Sequence, residues 1–120
     1  MMVEMMWEIS VKEQARGQFE LAYGPGGAWS KLFGRCAGFR GITLLRDANN
    51  SQRYVAIEIW DAEEQRAQAL VERDAEHATL IASLSEWVEA INELGTFRLL
   101  AEGTVRVRSG SRRGDRRANR

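Results

Sequence analysis

Histidine, cysteine and proline each occur once in the 120 residues, as His77, Cys36 and Pro25. A single cysteine excludes an internal disulfide framework and a cysteine-rich zinc centre. His77 and Cys36 lie 41 positions apart and do not compose a metal site by themselves, so no metal is expected. No apolar run approaches the ~20 residues that span a bilayer, so no membrane partner is expected. The first residues carry neither a basic n-region nor a small-residue cleavage site, so no signal peptide is expected either. A reducing cytoplasm is the compartment this predicts. The chain also lacks a GxGxxG motif, a Walker-type loop and a nucleophile motif, and no cofactor is expected. Gly24-Pro25-Gly26-Gly27 does not follow a strand and reads as a helix break rather than a phosphate cradle.

What is present describes one ordinary globular domain, 44% apolar and 28% charged. The folded domain is assigned to residues 1–107 and an Arg-rich tail to residues 108–120. The net charge is zero, but seven of the 17 basic and one of the 17 acidic residues lie between Arg106 and Arg120. The body is therefore acidic and the tail basic. The tail holds no apolar residue larger than alanine, cannot pack, and is expected to be disordered. A nucleic-acid arm is the functional alternative to a solvated extension. The absence of an aromatic residue for base stacking argues against it.

The chain divides into alternating elements. Val3–Val11 is rich in large apolar residues and reads as a strand. In residues 12–23, Ala15, Phe19 and Ala22 form one stripe at helical spacing. The Gly-Pro-Gly-Gly break ends that helix, and residues 28–36 form a second short one with Trp29, Leu32, Phe33 and Cys36 on one face. Phe39–Trp60 reads as two strands joined at Asn49-Asn50-Ser51. Both strands are apolar on both faces, which predicts burial on both sides. One chain of this length supplies a single helical layer, so a second copy is expected to cover the other face. Beyond Trp60 the period changes from two to 3.6, with Asp61 as a candidate N-cap. Residues 62–73 and 76–94 then read as helices, with a break at Asp74 or Ala75 and a stop at Gly95. Residues 96–107 form the last strand. The βαββαβ order predicts a ferredoxin-like α+β fold, a four-stranded antiparallel sheet with helices on one face.

Specific segments resemble a known family. WEISV in the first strand, Ala22–Trp29 (AYGPGGAW), Gly41–Asp47 (GITLLRD), Arg53-Tyr54 with Trp60-Asp61, and the closing LGTF are similar to the antibiotic biosynthesis monooxygenase superfamily of dimeric α+β barrels. The similarity runs from about Val3 to Phe97. It implies a homodimer joined through the sheet faces, and a pocket for a small aromatic molecule between the sheet and its helices. Members oxidise aromatic polyketides or quinols with oxygen and no cofactor, break down haem, or serve other roles. The haem-degrading branch relies on an Asn in the first strand, and Met5-Met6-Trp7-Glu8 offers none.

The resemblance thus implies a cofactor-independent monooxygenase acting on a quinol-like molecule. The alternatives are a non-catalytic, stress-associated or small-molecule-binding dimer and, more weakly, a haem-binding degradase. Such an oxygenase needs a dry aromatic pocket, a base, and a donor for the developing oxyanion. The candidate catalytic residues are Tyr23, Glu58 and His77. The candidate pocket residues are Trp29, Phe33, Arg46 and Trp60. Glu8 and Glu58 sit mid-strand among apolar neighbours, where a carboxylate is costly unless paired. Strand parity puts Glu58 on the face of Tyr54 and Trp60. If the Val55, Ile57 and Ile59 face meets the helices, Glu58 points into the dimer barrel, with Arg46, Arg40 or Arg98 as its partner.

Overall fold

The computed structural model describes residues 2–103. Strand β1 (Val3–Val11) leads through a 3₁₀ turn into α1 (Arg16–Tyr23) and α2 (Ala28–Phe33). Strands β2 (Phe39–Arg46) and β3 (Arg53–Trp60) follow as a hairpin, then α3 (Glu63–Glu72), α4 (Asp74–Trp87) and β4 (Val88–Arg98). The sheet order is β2-β3-β1-β4, antiparallel throughout. This is the expected ferredoxin-like α+β arrangement. Among the described residues, no helix is long and apolar enough to cross a membrane.

The period-two pattern decides which side chains form the core. On β1, Val3, Met5, Ile9 and Val11 are buried beneath the helices, and Glu4, Met6 and Glu8 point the other way. Residues opposite each other on paired strands share a face. Met5 opposes Glu58, Trp7 opposes Ala56 and Ile9 opposes Tyr54, so Tyr54, Ala56, Glu58 and Trp60 all face the helices. Phe19, Tyr23, Trp29, Phe33 and Leu84 close over them. The aromatic rings interlock: Phe33 meets Trp60 edge-on at 5.2 Å, and Phe19 lies 4.8 Å from both Tyr23 and Tyr54.

Three features depart from the sequence reading. First, the helix expected over residues 76–94 ends at Trp87, and Val88–Arg98 is a strand paired with β1. The Leu84, Ile91 and Leu94 spacing suits a helix locally. As a strand, Val88–Arg98 instead satisfies main-chain groups along the whole length of β1, and unpaired backbone groups are expensive. Sheet pairing therefore overrides the local period. Gly95, read as a helix stop, instead lies at a register shift in β4 with φ +136°, a conformation that L side chains rarely adopt. The expected last strand survives only as the end of β4; residues 104–107 and the tail at 108–120 lie outside the described residues. Second, Asp61 does not cap α3. Its carboxylate accepts from Arg40 Nε at 2.7 Å, and Ala62 occupies the cap position. Third, β3 alternates as expected, but the condition that its Val/Ile face meets the helices is not met. The Val55 and Ile59 face looks away from the helices, and Glu58 points toward them.

The helices cover one face of the sheet only. The other carries Met6, Val55 and Ile59, half-buried, with Leu45 at 51% and Phe97 at 47% exposure. A polar string crosses one end of this face. Arg53 donates to Glu8 at 2.6 Å and to Asp47 at 3.0 Å, and Asn92 reaches Glu8 at 3.4 Å. The Arg53 hydrogen bond holds the Glu8 carboxyl below the usual carboxylate range. Both mid-strand carboxylates are thus paired, as their cost demands, but on opposite faces and with different arginines.

Candidate active site between sheet and helices

A cleft of about 410 Å³ opens between the helix-facing side of the sheet and helices α1 to α4. Its floor is Glu58 on β3. The Glu58 side chain is 4% exposed and accepts three hydrogen bonds: from Trp60 Nε1 at 3.0 Å, from Arg66 Nε at 2.7 Å and from Arg66 Nη2 at 3.3 Å. Arg66 comes from α3, eight residues along the chain, and its guanidinium lies 5.0 Å from the centroid of the Trp7 ring. The pair is a two-point fork, the geometry that makes a buried arginine–carboxylate contact favourable.

The walls are aromatic. Trp29, the second residue of α2 after the Gly-rich break, is 3% exposed and stands 5.0 Å from Tyr23. His77, in the first turn of α4, meets the Trp29 ring edge-on at 5.6 Å. Ile81 and Leu84 of α4 and Ile91 of β4 add apolar surface, and Glu63 and Glu93 also line the cleft. Burial pushes the Tyr23 phenol well above its usual range, with the nearby Glu58 charge acting in the same direction, so the phenol stays a protonated donor. Burial, aided by the Arg66 charge and opposed by Glu58 and Asp74, pushes the His77 imidazole below 6.5. That direction favours the neutral ring, the form that can accept a proton.

The structure brings Tyr23, Glu58, His77 and Trp29 together in this one cleft. It separates the other candidates from it. Phe33 and Trp60 are fully buried in the core, and Trp60 acts on the site only through its bond to Glu58. Arg46 lines a different cavity beside Pro25 and Tyr54 and pairs with Glu20 at 3.1 Å. Arg40 and Arg98, the other partners considered for Glu58, are not part of the cleft either. Sequence reasoning missed Arg66; Trp7 is one of six aromatic residues it offers for a pocket, not singled out there as a lining residue. Arg66 sits on an otherwise polar helix and gives no local signal. A weak hint exists in retrospect: Arg66 lies one helical turn before Leu70, which packs against the core.

Two consequences can be measured. Arg66→Met strands a buried carboxylate and is expected to destabilise the fold by about 3 kcal/mol in urea unfolding. Adding Glu58→Gln to it should recover most of that loss, because an amide costs far less to bury than an unpaired charge. Separately, His77 is the only histidine, so its ring protons give an unambiguous NMR titration. The midpoint is expected below 6.5, because the folded state disfavours the charged form. The unfolded chain then binds the extra proton as pH drops below its own midpoint. Stability should fall with pH across that window, and His77→Gln should remove that part of the slope.

Neither a protein-family model nor a curated protein sequence matches the chain. Solved structures do. SnoaB from Streptomyces nogalater, described as a cofactor-independent oxygenase, superposes with a TM-score of 0.66 at 21% identity, over 84% of this chain and 95% of that one. A putative antibiotic biosynthesis monooxygenase from Nitrosomonas europaea gives 0.64 at 19% identity, covering 85% and 94%. One from Bordetella bronchiseptica gives 0.65 at 16% identity, covering 83% and 98%. The chain has the fold of the antibiotic biosynthesis monooxygenase structures.

Proposed function

We propose that the protein is a cofactor-independent monooxygenase that oxidises a small aromatic molecule of the hydroquinone or anthrone type. One observation carries this reading: the His77 imidazole, the Tyr23 phenol and the Arg66 guanidinium braced by Glu58 line one cleft with Trp7 and Trp29. The likeness in fold to a cofactor-independent oxygenase supports it. Fold alone does not assign activity, so the argument rests on the site.

In this mechanism the aromatic walls of the cleft hold the substrate ring and exclude water. His77 removes a proton from the acidic C–H or O–H of the substrate. Tyr23 donates a hydrogen bond to the oxygen that gains negative charge, and the Arg66 cation stabilises the same charge. The electron-rich anion passes one electron to molecular oxygen, and the resulting radical pair combines to a hydroperoxide. Loss of water leaves a carbonyl. For an anthrone, one oxygen atom enters the product and the other leaves as water, so no external reductant is required.

An oxygen electrode with a panel of hydroquinones and anthrones tests the reading. Uptake is expected with at least one class, and His77→Ala should lower it by about 100-fold, a typical cost of losing a positioned base. Tyr23→Phe and Trp29→Ala should each reduce it. No uptake across the panel would favour a non-catalytic binding protein of the same fold.

We further propose that two copies pair through the uncovered sheet face. Val55, Ile59, Leu45 and Phe97 form an apolar surface there that the chain's own helices do not reach. Light scattering at micromolar concentration is expected to give twice the 13.6 kDa of one chain. Ile59→Glu should shift it to the monomer, while wild-type protein found as a stable monomer would refute the pairing.

A further inference from the structure

The charges around the cleft do not balance. Among the described residues, Arg66 is the only arginine or lysine in the lining, and its Nε edge is already spent on Glu58. That pair is neutral as a unit. The remaining ionised groups are Glu63, at the start of α3, and Glu93, on β4 opposite Trp7. They approach the opening from different elements, and both are exposed, so neither is committed to the core. Behind them lie Trp7, Trp29 and Tyr23, whose ring faces favour apolar or cationic groups over anions. A ligand entering this cleft therefore moves toward negative charge and, among the described residues, meets no unpaired cation.

We propose that the cleft selects aromatic molecules that arrive uncharged or carrying an amine, and rejects those bearing a carboxylate or sulfonate. This deepens the reading of the cleft as an aromatic-ligand site and rests on it. In chemical terms, the substrate is a neutral phenol or anthrone without an acidic substituent, and its negative charge appears only after it is bound. A permanent anion would face Glu63 and Glu93 on entry and compete with Glu58 for Arg66. The neutral Glu58–Arg66 pair fits this order of events. It offers N–H groups to a charge that develops in place, without an excess cation that would capture a solution anion beforehand.

Three naphthalene probes of similar size separate the possibilities at neutral pH: 2-naphthol, 2-naphthylmethylammonium and 2-naphthoate. Affinities are measured by titration calorimetry at low salt. The shift of the His77 ring signals reports whether each probe occupies the cleft. The naphthoate is expected to bind at least roughly tenfold more weakly than the ammonium probe, the scale set by two carboxylates acting across a hydrated opening. That gap should narrow as salt is raised. In the Glu63→Gln/Glu93→Gln variant it should shrink to within about threefold, as the smaller residual Coulomb difference requires. Both residues are exposed, so this variant leaves the core untouched.

Naphthoate binding as tightly as 2-naphthol, an unchanged gap in the double variant, or no probe moving the His77 signals would each overturn the proposal. Oxygen uptake is scored separately. Charge selection without uptake leaves the inference standing and removes the oxygenase reading. Uptake without charge selection does the reverse.

Discussion

The Glu58–Arg66 ion pair is the contact on which the site depends. Glu58 occupies a helix-facing position of a central strand, between Met5 on one neighbour and Ile42 on the other. An unpaired carboxylate there would be untenable. The fork from Arg66 and the indole N–H of Trp60 make it tolerable, and together they tie α3 to β3. The same guanidinium lies over Trp7 of β1, so one side chain links a helix to two strands. A buried ion pair is weak evidence of net stability. Its role here is better described as placement, because it holds a polar floor under an aromatic cleft.

Around that floor, core and site are made of the same rings. Tyr54, Phe19, Tyr23, Trp29 and His77 form a continuous series of aromatic contacts, with successive centroids between 4.8 and 5.6 Å apart. One end of the series is packed in the core, where the Tyr54 hydroxyl donates to Glu20 at 2.5 Å. The other end borders the cleft. The walls of the site are therefore positioned by the packing that stabilises the fold. Trp29 illustrates the overlap, being almost fully buried yet part of the lining.

The two faces of the sheet divide the labour. The helix-facing side holds the large aromatic residues and the cleft. The outer side holds mostly aliphatic residues, with Phe97 at one edge, and the Glu8–Arg53–Asp47 string. Chain length explains the division, since four helices of six to fourteen residues cover one side of a four-stranded sheet and no more. The likeness to monooxygenase structures at 16–21% identity belongs to this architecture. The reactive groups belong to this chain's own residues.

Local pattern alone determined most of the elements. Two-sided apolar strands at Phe39–Trp60, the Gly-Pro-Gly-Gly break and the change of period after Trp60 were enough to predict the ferredoxin-like order. They also marked Tyr23, Trp29 and Glu58 as residues worth following, because a polar group in an apolar strand or a ring beside a backbone break stands out at short range; His77 came from the family resemblance. The tertiary structure decided what short-range information does not encode. Val88–Leu94 has a spacing compatible with a helix, and only the free edge of β1 makes it a strand. The period-two pattern of β3 says which residues share a face but not which face meets the helices, since Val/Ile and Tyr/Trp rows are both apolar. Arg66 became the partner of Glu58 because α3 crosses above β3, and a polar helix carries no mark of the one side chain that turns inward.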